Sequence, residues 1–76
     1  MFNFAHPKLV RLAEIEGFAD VEAMVEHSVM DSVIPAICVM PGCDHATESE
    51  PDQRGGYCEA CGRKTVQSNL VICGMI

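Results

Sequence analysis

The fold of this chain is decided by the sequence CVMPGC at residues 38–43, which is followed after fourteen residues by CEACG at residues 58–62. Each stretch presents two cysteines on a tight turn, and Pro41, Gly42 and Gly62 are residues that turns favour. Two such pairs, separated by an insert of hairpin length, are typical of a tetrahedral site made of four thiolates. The sequence therefore predicts one metal centre with the ligands Cys38, Cys43, Cys58 and Cys61.

Zinc is the ion expected in this centre, because Zn²⁺ binds four thiolates with no geometric demand beyond a tetrahedron. Iron is the first alternative, since two cysteine turns also hold the iron of rubredoxins. Those electron carriers surround their site with aromatic side chains, whereas this chain has one tyrosine, three phenylalanines and no tryptophan. Residues 58–61 also match the Cys-x-x-Cys redox pattern, but the second cysteine pair upstream favours metal binding. A closed four-sulfur site leaves no position for a substrate, so we expect no enzymatic activity.

The size and charge of the chain limit what it can bind. Its 76 residues correspond to one small domain, residues 1–76, and domains of this size often need a metal or a disulfide to be stable. The net charge is −6, from 11 acidic and 5 basic residues. Nucleic-acid binders normally carry a basic patch, so this balance favours an unknown protein partner. Nucleic-acid binding by the ribbon, with Arg54, Arg63 and Lys64 as its basic residues, is the alternative.

The N-terminal sequence has no signal-peptide pattern, and no segment reaches the roughly 20 apolar residues of a membrane span. We therefore expect a cytoplasmic protein that does not enter membranes. In a reducing compartment, cysteine pairs indicate metal ligands rather than disulfides. The fifth cysteine, Cys73, lies in an apolar run and is expected to be a small buried hydrophobic residue.

Residues 7–34 are expected to form two helices. Pro7 suits the first position of a helix and Gly17 suits the position after its end. Asp20 is a good N-cap for a second helix, which we expect to continue to Ile34, where Pro35 ends it. Apolar and small residues recur along this second segment with helical spacing and predict its buried face: Val21, Met24, Val25, Ser28, Val29, Ser32 and Val33.

Residues 36–67 are expected to form the metal-binding module, with strands at 36–39, within 44–50 and at 63–67. Ser68 is expected to cap the apolar tail, residues 68–76, which would pack on the N-terminal helices or form a homo-oligomer surface. His45 and Asp44 follow the first cysteine pair closely. Both are expected to lie beside the site or in solvent, not to bind the metal.

Several segments of the chain resemble a group of small uncharacterised zinc-ribbon-like proteins of bacteria and bacteriophages. The resemblance covers roughly residues 10–76 and rests on DSVIPAIC (31–38), CD (43–44), EPD (50–52), GYCEACG (56–62), TV (65–66) and the short apolar tail. It implies a four-cysteine zinc site and no known activity.

Together with the patterns above, it predicts a small α+β domain in which two N-terminal helices pack on a zinc ribbon with a short C-terminal apolar segment. The expected function is that of a non-enzymatic structural-zinc protein, acting as a protein-interaction adaptor or regulator. The alternatives are a nucleic-acid-binding zinc ribbon and a redox or electron-transfer protein.

Overall fold

The structure, a computed structural model, describes residues 3–76. Over these residues the chain forms three helices and a three-stranded antiparallel sheet, in which β1 lies between β2 and β3. The elements, in chain order, are α1 (Pro7–Glu16), α2 (Val21–Ser28), β1 (Ile34–Cys38), β2 (Ala46–Ser49), β3 (Val66–Ser68) and α3 (Asn69–Ile72). The predicted α+β class is confirmed.

Both N-terminal helices begin where the sequence predicts, and α1 also ends at its predicted residue. The His6 side chain accepts a hydrogen bond from the Lys8 N–H, with Pro7 at the first helical position of α1. Gly17 closes α1 in the left-handed conformation, with φ 82°. The Asp20 carboxylate accepts a hydrogen bond of 2.8 Å from the N–H of Ala23 and caps α2.

The second helix is shorter than predicted. It ends at Ser28, whereas the prediction extended it to Ile34. Val29 and Val33, which were expected on its buried face, are about half exposed. Residues 34–38 instead form a central strand with every side chain buried, paired on both edges. Although the apolar residues before Pro35 have helical spacing, the chain leaves the helix there and enters a strand, because pairing with β2 and β3 stabilises the extended conformation.

Pro35 is tolerated inside this central strand because β3 does not extend alongside it. The β1–β3 pairing begins at Ala36, and the carbonyl of Pro35 accepts a 2.8 Å hydrogen bond from the side-chain amide of Asn69. The nitrogen and oxygen of one residue point to the same side of a strand. The missing N–H of Pro35 therefore removes no bond from the ladder.

The strands differ from their predicted bounds by a few residues. The first begins at Ile34 rather than at residue 36, and the second occupies Ala46–Ser49 within the predicted segment. The third begins only at Val66, because residues 63–65 belong to the turn that follows Cys61.

The buried residues form two clusters that meet along β1. The larger one joins the helices to the sheet, and the smaller one includes Cys38 and Cys58, with Cys43 packed against it. Leu70 and Cys73 belong to the larger cluster, which confirms that the tail packs on the helices and that Cys73 is buried. Ile76, by contrast, is 48% exposed, so the last residue of the tail lies outside this core.

None of the helices within residues 3–76 combines the length and the apolar character needed to cross a membrane.

Candidate metal centre

The first cysteine turn leaves the end of β1. Cys38 is the last residue of that strand, and the N–H of Cys43 donates a 3.1 Å hydrogen bond to the carbonyl of Met40, which closes the turn. Gly42 adopts a φ of 82° within it. Residues with a Cβ rarely adopt this conformation, so glycine is what allows Cys43 to turn back toward Cys38.

The second cysteine turn is also closed by a backbone hydrogen bond and contains a glycine with positive φ. The N–H of Gly62 donates to the carbonyl of Cys58 at 2.8 Å, and Gly62 has a φ of 73°. The N–H of Cys58 in turn donates to the carbonyl of Arg63 at 2.7 Å, which fixes the chain on both sides of the turn. The turn chemistry predicted for both cysteine pairs is therefore present.

The two turns bring four sulfur atoms together at the spacing of a tetrahedral metal site. All four Sγ atoms, from Cys38, Cys43, Cys58 and Cys61, lie within 4.8 Å of one another. Two of these contacts join different turns: Cys38 Sγ lies 3.7 Å from Cys61 Sγ, and Cys43 Sγ lies 3.6 Å from Cys58 Sγ. A tetrahedron with metal–sulfur bonds of about 2.3 Å has sulfur atoms roughly 3.8 Å apart. These four cysteines are therefore close enough to hold a metal ion.

The sulfur atoms are too far apart for disulfide bonds, which require about 2.05 Å, and all five cysteines are free. Cys38 and Cys58 are buried, Cys43 is half-buried and Cys61 is exposed. Two of the thiolates around a metal ion, those of Cys38 and Cys58, would thus lie in the protein interior. Solvent would approach the ion from the side of Cys61.

A threonine hydroxyl lies against two of the sulfur atoms. Thr65 Oγ1 lies 3.0 Å from Cys38 Sγ and 3.9 Å from Cys61 Sγ. As a donor, it stabilises the thiolate form of Cys38. Nothing in the cysteine spacing singles out Thr65, and its role follows only from the register that places it one residue before β3.

The environments of the thiols give them different acidities. Burial opposes ionisation of Cys38, but hydrogen bonds from the Thr65 hydroxyl and the Met40 backbone outweigh it and lower the pKa of Cys38 to about 7. The His45 backbone favours the Cys43 thiolate, yet burial and the neighbouring Cys58 and Cys38 outweigh it and raise the pKa of Cys43 to about 11. A cation bound among the four sulfur atoms would lower the pKa of every thiol, because it stabilises all the thiolates at once.

Helix α1 holds the first cysteine turn through Lys8, which is largely but not fully buried. Lys8 Nζ donates to the backbone carbonyl of Cys43 and lies 3.2 Å from Asp44 Oδ1, while Arg11 Nε lies 3.4 Å from Asp44 Oδ2. The hydrogen bond from Lys8 holds the pKa of Asp44 below its usual range. These contacts join residues more than 30 positions apart, and no local pattern in the sequence predicts them.

Asp44 is therefore an ion-pair partner and lies outside the cysteine cluster, as does the side chain of His45. The His45 backbone contributes instead, since its carbonyl accepts a 2.9 Å hydrogen bond from the N–H of Cys38. Among residues 3–76, the four cysteines are the one group of metal-ligating side chains with this proximity.

Comparisons with models of protein families, with curated proteins and with solved structures returned no match. The resemblance to small zinc-ribbon-like proteins thus stays a prediction from the sequence.

Proposed function

We propose that the chain is a non-enzymatic structural-zinc protein that acts through protein contacts, as a small adaptor or regulator. The observation that carries the zinc assignment is the sulfur geometry, in which separations of 3.6 and 3.7 Å match a tetrahedral thiolate site. Four ligands from one chain complete the coordination of Zn²⁺ and leave no open position. The role of the metal would then be to hold the fold.

The pairing of the sulfurs also favours a metal over thiol exchange. In a redox Cys-x-x-Cys motif the two thiols of one turn act on each other. Here all four sulfur atoms lie within 4.8 Å of one another, so Cys58 and Cys61 also face the thiols of the other turn. Iron–thiolate sites share this arrangement but absorb visible light, so an absorption spectrum separates electron transfer from structural zinc.

A role in protein binding is supported by the distribution of charge. Residues 12–53 contain no lysine or arginine, and Lys8 and Arg11 are engaged by Asp44. Such a surface repels phosphate backbones and attracts basic protein segments. The nucleic-acid alternative keeps one favourable observation, since Arg54, Arg63 and Lys64 are exposed and none of them forms an ion pair within the described part of the chain.

The experiment for the metal role compares two cysteine substitutions. Cys61 is exposed, so Cys61→Ser removes a thiolate without opening the hydrophobic core, whereas Cys73→Ala removes a buried thiol outside the cluster. We expect Cys61→Ser to lose zinc and helical circular-dichroism signal, and Cys73→Ala to retain one zinc per chain. Equal zinc content in both variants would contradict the assignment.

A further inference from the structure

A groove with an apolar floor lies at the end of α1 that is remote from the cysteines. It has a volume of about 500 Å³ and is formed by the segment before α1, the last turns of α1 and the start of α2. Phe4 and Phe18 pack against the core and line the groove together with Val10 and Val21. Pockets that bury most of a small ligand have about 300–1,000 Å³. The groove therefore has room for one large apolar side chain of a peptide and for part of the peptide backbone beside it.

The rim of this groove is acidic. Its charged lining residues are Glu14, Asp20 and Glu22, and none of the residues that the structure describes along it is basic. Glu14 has an ion-pair partner in Arg11, but the two groups are 3.7 Å apart and both more than half exposed, so a competing cation can replace that contact. Asp20 uses one carboxylate oxygen to cap α2.

We propose that this groove binds a basic segment of a partner protein, in which lysine or arginine residues flank a leucine or phenylalanine. The proposal rests on the adaptor function above and names its binding surface. The apolar side chain would enter between Phe4 and Phe18, and the flanking cations would face the carboxylates of the rim. The net charge of −6 draws such a segment toward the chain before it docks.

The charges on the rim also argue against other occupants. A second copy of this chain would bring the same acidic rim against itself, and like charges across an interface oppose association. Nucleic acids and anionic lipids would meet the same repulsion. A basic peptide is the occupant that complements both the floor and the rim.

The test begins with a selection of phage-displayed random short peptides on the zinc-loaded wild-type protein and on Val10→Lys. Val10 is 45% exposed, so lysine at this position places a charge in the groove without burying it. Circular dichroism and zinc content establish that the variant is folded. We expect the wild type to enrich peptides with basic residues around an apolar one, and Val10→Lys to lose them. Enrichment of the same peptides by both proteins would overturn the groove as the site while leaving the adaptor function standing.

The second measurement uses a synthetic copy of an enriched peptide and does not depend on Val10→Lys. We expect the double variant Glu14→Gln and Glu22→Gln to weaken binding about tenfold, with a loss of salt dependence. The matched control neutralises Glu48 and Glu59, exposed carboxylates outside the groove. Equal affinity in the two double variants, or enrichment of peptides without basic residues, would overturn the proposal. If the wild type enriches no peptides, the groove fails as a binding site and the adaptor function would have to use another surface, whereas a protein that purifies without zinc would contradict the metal assignment alone.

Discussion

The ammonium of Lys8 lies 3.2 Å from the carboxylate of Asp44, although the two residues are 36 positions apart in the chain. Lys8 is only 11% exposed and also donates to the carbonyl of Cys43. The side chain of Lys8, in the first turn of α1, therefore binds the cysteine turn that carries Cys38 and Cys43. Because of this contact, the helical core and the metal centre are expected to lose their structure together.

Removing this contact should destabilise the protein without removing the metal. We expect Lys8→Met, which keeps most of the buried aliphatic stem, to lower the midpoint of thermal unfolding by about 4–8 °C. Lys64→Met is the matched control, since Lys64 is exposed and forms no ion pair within residues 3–76, and its midpoint should stay near that of the wild type. Scanning calorimetry on zinc-loaded proteins measures both, and equal midpoints would show that Lys8 contributes little.

The Thr65 hydroxyl should strengthen metal binding. Thr65→Val keeps the shape of the side chain but removes the hydroxyl that lies 3.0 Å from Cys38 Sγ. Loss of a hydrogen bond to a metal ligand typically weakens metal affinity by about 10–100-fold, and we expect a loss in that range. Thr47→Val on the exposed face of β2 controls for the effect of valine in the sheet. Competition with a coloured chelator measures the affinities, and identical values for the two variants would be the contrary result.

Zinc affinity should rise with pH through the neutral range. In the absence of metal, the pKa of Cys43 is raised to about 11, so its proton must leave when the metal binds. The pKa of Cys38 is about 7, so Cys38 adds a further proton release below neutrality. Zinc binding therefore competes with protons, and we expect the affinity to rise at least about tenfold per pH unit between about pH 6 and 8. Chelator competition at several pH values tests this, and a pH-independent affinity would contradict it.

The tail should contribute to the core through Leu70 rather than through its last residue. Leu70 is 4% exposed within the main cluster, and a buried Leu→Ala change costs about 2–5 kcal/mol. That is a large part of the roughly 5–15 kcal/mol by which domains are stable. Ile76→Ala, at a position that is 48% exposed, is the control and should change little. Denaturant unfolding with zinc present compares them, and a Leu70→Ala protein as stable as the control would place the tail outside the core.

Local patterns in the sequence predicted the parts of this fold that depend on local chemistry. Pro7 and Gly17 at the ends of α1, the N-caps at Asp20 and Ser68, and the four-cysteine cluster all follow from residue type and spacing. The end of α2 could not be predicted in this way, because the strand that begins at Ile34 is stabilised by β2 and β3, which come later in the chain. The contacts of Lys8 and Thr65 with the cysteine turns depend on the same long-range pairing.

X-ray absorption at the zinc edge, on protein purified without added metal, tests the central claim most directly. The structure leads us to expect one zinc per chain, bound by four sulfur atoms at about 2.3 Å and by no nitrogen. Protein that contains no stoichiometric metal and carries disulfides, or zinc with a nitrogen ligand from His45, would contradict it.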